Sequence, residues 1–218
     1  MESLGAVKLD NFTDIFQTEG NVGLIQTISL LQCVWSCLRN KMCLTLFFKN
    51  DTNLCILHSK TFYYKQPTES GVGWEAYQIQ DLSGRCPDSF AYYRQQDLCY
   101  RIEHGTDKNV FNFDGCVAFQ SELIRIDSSY RQTYVEYILD GVTRDWICIQ
   151  GKNFVVRDRM TFDDGTDMVY FNWDSSQPDD DDLPIIIVMA VTYNSTMYWH
   201  DMNFPNELTC SYICEKRA

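Results

Sequence analysis

Eight carboxylates crowd residues 163–182: Asp163, Asp164, Asp167, Asp174 and Asp179–Asp182. Inside that stretch, Gln177-Pro178-Asp179 sets an amide and a carboxylate on either side of a proline, and Trp199-His200-Asp201 follows. An X-Pro bond keeps the cost of a cis peptide low, and a cis peptide turns the two flanking side-chain oxygens to the same side. Clustered oxygens suit a hard cation such as calcium, which takes roughly six to eight of them. Without a cation the aspartates repel one another, or simply form a solvated acidic loop. Catalytic patterns do not compete with this chemistry. The chain has no G-x-S-x-G, no H-E-x-x-H and no glycine-rich phosphate loop. His58, His104 and His200 are scattered, and a loop of aspartates without a defined cleft is not a glycosidase pair. The chain reads as a binding protein and not as an enzyme.

The elements that must position these residues are held by cysteines. The 218 residues include ten cysteines, 45% hydrophobic and 14% aromatic residues, enough for packed cores. Cysteine pairs at the C-x2-C spacing of zinc ribbons are absent. Sequons at Asn11, Asn50 and Asn194, taken with the cysteines, favour an oxidising, glycosylating secretory route. The start of the chain carries no signal-peptide pattern, so secretion implies a leader outside this sequence. The longest apolar run, Leu183 to Val191, is too short to span a bilayer, so no membrane insertion is expected. A net charge of −12 repels phosphate backbones and argues against a nucleic-acid partner.

Two modules follow one another. In the first, residues 1–82, Ser29-Leu-Leu-Gln32 is a capping box, and Leu30, Leu31, Val34, Trp35 and Leu38 continue at helical spacing with Cys33 and Cys37 on one face. Strands are expected over 44–48 and 54–57, joined by a turn at Asn50–Asn53. This C-x3-C-x5-C-x11-C pattern, with the closing strand Gly73-Trp-Glu-Ala-Tyr77, resembles the PAN/apple family. That resemblance implies one helix on a small antiparallel sheet, and pairing Cys33 with Cys55 and Cys37 with Cys43 would staple the two together. Many apple domains carry a further cysteine pair joining their termini, which this module lacks.

The second module, residues 83–218, opens with a hairpin from Cys86-Pro to Cys99-Tyr. A helix is expected over Asn112–Gln120 and a second from a capping box at Ser129-Tyr-Arg-Gln132. Strands follow at 146–150, 185–192, 197–199 and 208–214, so the class is α+β. The ordered pieces Trp146-Ile-Cys-Ile149, Phe162-Asp-Asp-Gly165, Tyr170-Phe-Asn-Trp173, Gln177-Pro-Asp179, Trp199-His-Asp201 and Tyr212-Ile-Cys-Glu-Lys216 resemble the C-type lectin-like domain in its long form. The resemblance implies two helices, two small antiparallel sheets and long loops. Cys86–Cys99 and Cys116–Cys214 fit two disulfides of that family. Its third pair is missing, with Ala190 and Phe204 at the corresponding places, which leaves Cys148 and Cys210 to pair. Trp146, Trp173 and Trp199 occupy positions the family packs.

Carried over residue by residue, the implied calcium and sugar ligands are Gln177, Asp179 and Asp201; the family's further glutamate has no counterpart where Leu183-Pro-Ile begins, and Asp181 or Asp182 stands in for it. In the family the Gln-Pro-Asp order goes with galactose-type sugars. His200 replaces an asparagine and is a poor partner for a hard cation, though it remains a candidate sugar contact. Two functions are therefore expected as alternatives. One is a secreted, calcium-dependent, galactose-type carbohydrate-binding protein whose partners are glycans or glycoproteins. The other is a calcium-independent protein-interaction or adhesion module that keeps only the fold. In either, the PAN/apple-like module offers a surface for protein partners.

Overall fold

Ser29 starts the first helix, α1 (Leu30–Arg39), in a computed structural model that describes residues 4–62, 66–87, 89–103, 115–139, 146–153, 159–179, 185–191, 196–203 and 210–217. The Ser29 hydroxyl accepts from the Gln32 N–H at 3.3 Å, and the Gln32 amide oxygen accepts from the Ile28 N–H at 2.7 Å. The capping box thus closes on the residue before the serine. Asn40 ends the helix, its N–H donating back to Ser36 and Cys37 carbonyls. The chain divides into two compact units, Met1–Tyr100 with Lys216–Ala218, and Arg101–Glu215.

In the first unit, β1 (Leu4–Lys8), β3 (Asn21–Gln26), β4 (Thr45–Lys49), β5 (Leu54–His58) and β7 (Trp74–Asp81) form an antiparallel sheet in the order β1-β7-β4-β5-β3. A two-stranded ribbon pairs β2 (Ile15–Phe16) with β6 (Glu69–Ser70). Strand alternation sends Leu46, Phe48, Cys55, Leu57 and Ile79 toward α1, where they bury Cys33 and Cys37. The opposite residues Phe47, Ile56, Trp74 and Ala76 pack with Phe12 and Phe62. Both faces of this sheet are therefore buried. Disulfides Cys33–Cys55 and Cys37–Cys43 fasten the helix to it.

Asp81 organises the chain as it leaves β7. Its carboxylate accepts from the Ser83 N–H and hydroxyl, the Arg85 N–H and the Arg85 guanidinium. Burial pushes the carboxyl up, but the bonds from Arg85 and Ser83 prevail and bring it down to about 2. Arg85 also reaches Asp97 at 3.1 Å and lies over the Tyr92 ring. The hairpin that follows, β8 (Ala91–Tyr93) and β9 (Leu98–Glu103), is closed by Cys86–Cys99. At its turn Arg94 donates to the carbonyls of Cys37, Leu38 and Asn40, capping the C-terminus of α1.

In the second unit, β11 (Ile147–Asn153), β12 (Ile185–Val191), β13 (Met197–Asn203) and β14 (Ser211–Arg217) lie in the order β13-β12-β11-β14, with the short β10 (Glu122–Leu123) on β14. The β11–β14 pairing is parallel and the others are antiparallel. Gly151 sits at a bulge in β11 with φ +152, where a Cβ would fall 2.4–3.1 Å from the Ile187 side chain. Disulfide Cys116–Cys214 fastens the turn at Cys116 to β14, and Cys148–Cys210 joins β11 to the residue just before β14.

Two helical expectations change. Of the Asn112–Gln120 helix, residues 112–114 lie outside the described residues, and the rest is only a 3-10 turn, Val117–Phe119, closed by Gln120 in the left-handed region. The Cys116 carbonyl accepts from Phe119, Ser121 N–H and the Ser121 hydroxyl, so the chain reverses there instead of propagating a helix. The second helix, α2 (Ser129–Leu139), forms, but its cap is Ser128, whose hydroxyl accepts from the Arg131 N–H at 3.3 Å. Gln132 is thereby released from capping. Among the described residues the second unit holds this one α-helix.

His58 supplies a test of the first unit's core. It is buried, with the rings of Phe47 and Phe62 edge-on at 6.2 and 5.1 Å. Burial holds its pKa below the ordinary value; Lys60 acts the same way, while the Glu19 carbonyl and Glu69 oppose. Because the folded pKa is depressed, unfolding takes up a proton below about pH 6.5. This contribution is complete above that pH and falls as pH drops toward the native value, by about 1.4 kcal/mol per unit of depression. Denaturant titrations of wild type and His58→Phe between pH 8 and 5 should show wild type losing stability relative to the variant on acidification. Parallel curves would refute the buried neutral imidazole.

Candidate functional site

Gln177, Asp179 and Asp201 form a closed cluster built by β13 and the loop before β12. The Gln177–Pro178 peptide is cis. The Gln177 amide oxygen accepts from the Asp201 N–H at 3.0 Å, and its amide nitrogen donates to Asp179 Oδ1 at 2.5 Å. The Asp179 N–H donates in turn to Asp201 Oδ1 at 2.9 Å. Asp201 is 4% exposed, whereas Asp179 lies open to solvent. One amide and two carboxylates are thus gathered and already satisfied in part by one another.

His200 does not join them. Successive side chains of a strand point to opposite faces, so Trp199 and Asp201 share one face of β13 and His200 takes the other. There its ring stands edge-on to Trp146 at 5.2 Å, with Nε2 3.6 Å from Asp174 Oδ2. Asp182, the fourth expected ligand, lies outside the described residues, as do Asp181, Tyr193 and the sequon at Asn194. Asn11 and Asn50 are exposed.

The donors suit a hard cation in kind, being carboxylate and amide oxygens. They fall short of a calcium shell in number, and each hydrogen bond within the cluster already engages one of their atoms. Among the described residues no group of three or more His, Cys, Asp or Glu is placed to hold a metal. Part of the acidic stretch is paired with basic side chains. Asp163 pairs with Lys152 at 2.8 Å, Asp164 with Arg125 at 2.8 Å, and Asp167 with Arg159 at 2.5 Å. Hydrogen bonds from the Thr166 hydroxyl and N–H, with Arg125 adding to them, hold the Asp164 carboxyl down to about 2. Three of the five described aspartates of the stretch thus meet basic side chains.

Sequence reading missed Gln132. Only 4% exposed, it donates to the Met197 carbonyl and to Glu136 Oε1, each at 2.9 Å, and accepts from the Trp199 indole N–H at 2.9 Å. The S-x-x-Q spacing concealed this role, because the same glutamine also fits a capping box. Trp199 is fully buried, while Trp146 and Trp173, both expected in the core, are half-buried. Against the Trp199 ring lie Tyr170 at 5.6 Å, Phe171 at 6.3 Å and Trp173 at 6.0 Å. The Trp199 backbone donates to Asn172 and accepts from Asp174, fixing the loop that leads to Gln177. Replacing Gln132 by Leu leaves the buried indole N–H without its acceptor, while the Met197 carbonyl keeps the Asn172 amide at 2.9 Å. It should lower stability by about 1–3 kcal/mol in denaturant titrations and alter the near-ultraviolet signal of the tryptophans. An unchanged midpoint and spectrum would contradict this.

No protein-family profile and no curated protein match this sequence. Solved structures do match its fold. The Ca2+-independent C-type lectin SPL-2 from Saxidomus purpuratus is 17% identical, covering 61% of this chain and 94% of its own, with a TM-score of 0.52. Human lithostathine is 15% identical over 61% of this chain and 91% of its own, with a TM-score of 0.51. The C-type lectin CEL-I from Cucumaria echinata is 20% identical over 62% and 99%, with a TM-score of 0.50. About three fifths of the chain therefore has the fold of a C-type lectin-like domain.

Proposed function

We propose that this chain is an extracellular carbohydrate-binding protein, not an enzyme, with its sugar site centred on Gln177, Asp179 and Asp201. The observation that carries the reading is the hydrogen-bonded cluster of these three residues, in which buried Asp201 fixes the Gln177 amide and the exposed Asp179 carboxylate on a lectin-like fold. Sugar hydroxyls need such a fixed set of donors and acceptors. The Gln-Pro-Asp order supports a galactose-type ligand by its resemblance to the family. In the same proposal, residues 1–82 form a PAN/apple-like module available to protein partners and residues 83–218 the lectin-like domain. Five disulfides and exposed sequons at Asn11 and Asn50 support passage through the secretory route. No helix among the described residues is long and apolar enough to cross a membrane.

Calcium belongs to this proposal as the ion that Gln177, Asp179, Asp201 and Asp182 would hold, and when bound it supplies a divalent charge for sugar hydroxyls. A second reading, sugar binding without calcium, is favoured by one observation. The hydrogen bonds among the three residues already engage one oxygen of each side chain, and Asp163, Asp164 and Asp167 pair with Lys152, Arg125 and Arg159. SPL-2 is a calcium-independent lectin on the same fold.

Retention on immobilised galactose, with and without chelator, separates these readings. Calcium-dependent binding predicts release by chelator, together with a rise in stability of about 2.7 kcal/mol when calcium stands at 100 times its Kd. The second reading predicts retention that ignores chelator and a melting curve that ignores calcium. In both, Asp179→Ala should abolish retention. Failure of the wild type to bind galactose or any glycan on an array would end the carbohydrate reading altogether.

A further inference from the structure

Most of this chain discourages a second copy of itself. At a net charge of −12, two chains repel wherever carboxylates of one face carboxylates of the other. One interval is different. Between Glu19 and Asp51 no aspartate or glutamate occurs, the longest such gap in the chain, and its charges are Arg39, Lys41 and Lys49. The same interval holds Leu24, Ile28, Leu31, Trp35 and Met42, five of the twelve large apolar side chains that stand exposed among the described residues. Exposure concentrated in this way marks a contact surface.

Within the interval lies an open sheet edge. β3 (Asn21–Gln26) ends the order β1-β7-β4-β5-β3, and among the described residues no strand pairs with its outer side. Such an edge presents a row of unpaired backbone N–H and C=O groups, which proteins commonly blunt with charge, proline or a bulge. β1, at the opposite edge, ends in Lys8, held by Glu75 at 2.6 Å. β3 carries neither charge nor proline. Its register with β5 shifts between Asn21 and Gly23, and beyond that point Gly23, Leu24, Ile25 and Gln26 run opposite Leu57, Ile56, Cys55 and Leu54 without interruption. Ile25 packs against the core beneath α1, whereas Leu24, on the other face, is 56% exposed.

Two identical strands laid antiparallel are self-complementary. A two-fold axis beside Leu24 sets Leu24 against its own copy, Gly23 against Ile25 and Val22 against Gln26. Main-chain bonds then close both edges at once, and the two exposed leucines cover one another. No carboxylate enters the contact from either strand.

We propose that β3 is a self-association edge whose occupant is β3 of a second copy of this chain, paired antiparallel about Leu24. The first units of the two copies then share one continuous sheet. Such a dimer carries two lectin-like domains, and linked sites gain avidity for a repeating ligand. The pairing itself is independent of which ligand those domains take.

Sedimentation velocity of the full secreted chain over a concentration series tests this, with Leu24→Lys, Leu24→Glu, an equimolar mixture of the two, and Trp35→Ser. Wild type should pass reversibly from one chain toward two as concentration rises. Each charged variant should raise the dimer Kd about tenfold or more, because like charges then face one another across the axis. The mixture should form dimers again, since lysine there faces glutamate. Thermal melts of both charged variants close to wild type place their loss at the contact. Trp35→Ser should dimerise like wild type. A wild type that stays monomeric throughout would overturn the proposal. Dimers that survive both charged variants, or a loss that the mixture does not restore, would overturn pairing about Leu24. Dimers that only Trp35→Ser dissolves would overturn it too, by moving the contact to the outer face of α1.

Discussion

The buried indole of Trp199 is the contact on which the arrangement of the second unit depends. Its N–H is held by Gln132 of α2, its backbone pairs with Asn172 and Asp174 of the long loop, and its ring receives Tyr170, Phe171 and Trp173. One side chain thus joins a helix, a strand and a loop with little regular structure of its own. An indole that is fully buried must have its N–H satisfied, and here the partner is a glutamine that is itself almost fully buried. The glutamine in turn closes on the Met197 carbonyl and Glu136. Removing any member leaves another polar atom buried without its partner, which makes the set costly to perturb and keeps β13 in register beneath Asp201.

Long loops need restraint from elsewhere, because ordering a residue's backbone costs about 1–2 kcal/mol and loops bury little apolar surface in return. Cross-links supply part of it. Cys116–Cys214 and Cys148–Cys210 close segments 98 and 62 residues apart in sequence, which restricts the unfolded chain strongly. Ion pairs supply another part. Surface pairs such as Arg159–Asp167 contribute little one by one. Arg125 does more than pair, because its guanidinium also lies over the Phe162 ring at 3.9 Å and reaches Thr166. Asp163, Asp164 and Asp167 are consequently held in ion pairs with Lys152, Arg125 and Arg159. Aspartate density alone is poor evidence for a cation.

Local chemistry made much of this legible. The pairs that the family resemblances implied, with Cys148 and Cys210 left over, coincide with those in the structure. Apolar runs at strand period located β4, β5, β11 and β12, and Ser29 located α1. The edge strands β1 and β3 went unseen because Leu4–Lys8 and Asn21–Gln26 show no sustained alternation, and their pairing with β7 and β5 is decided by partners far away in sequence. Over the described part of 112–120, a helix does not form because the Cys116 carbonyl is drawn into a tight reversal with Phe119 and Ser121. Gln132 was misread because a spacing rule records where a side chain could bond locally and says nothing of a buried indole on another element. Ion pairs such as Arg125–Asp164 were invisible in the same way.

Position 200 shows how far strand geometry reshapes an argument made from residue types. Histidine for asparagine beside Asp201 looks in sequence like damage to a ligand set. In the structure the two side chains leave opposite faces of β13, and the neighbours of His200 are Trp146, Asp174 and, across the strand pair, Val188. That face carries the Cys148–Cys210 disulfide with Ile186 and Val188 packed around it. The face with Asp201 instead carries Trp199 and, through it, the aromatic rings of the loop. A histidine at 200 therefore leaves the hydrogen-bonded cluster of Gln177, Asp179 and Asp201 intact. Its contact near that cluster is Asp174, whose carbonyl accepts the Gln177 N–H. The hydrogen bonds within the cluster engage one oxygen each of Gln177, Asp179 and Asp201, and none of these bonds involves the imidazole.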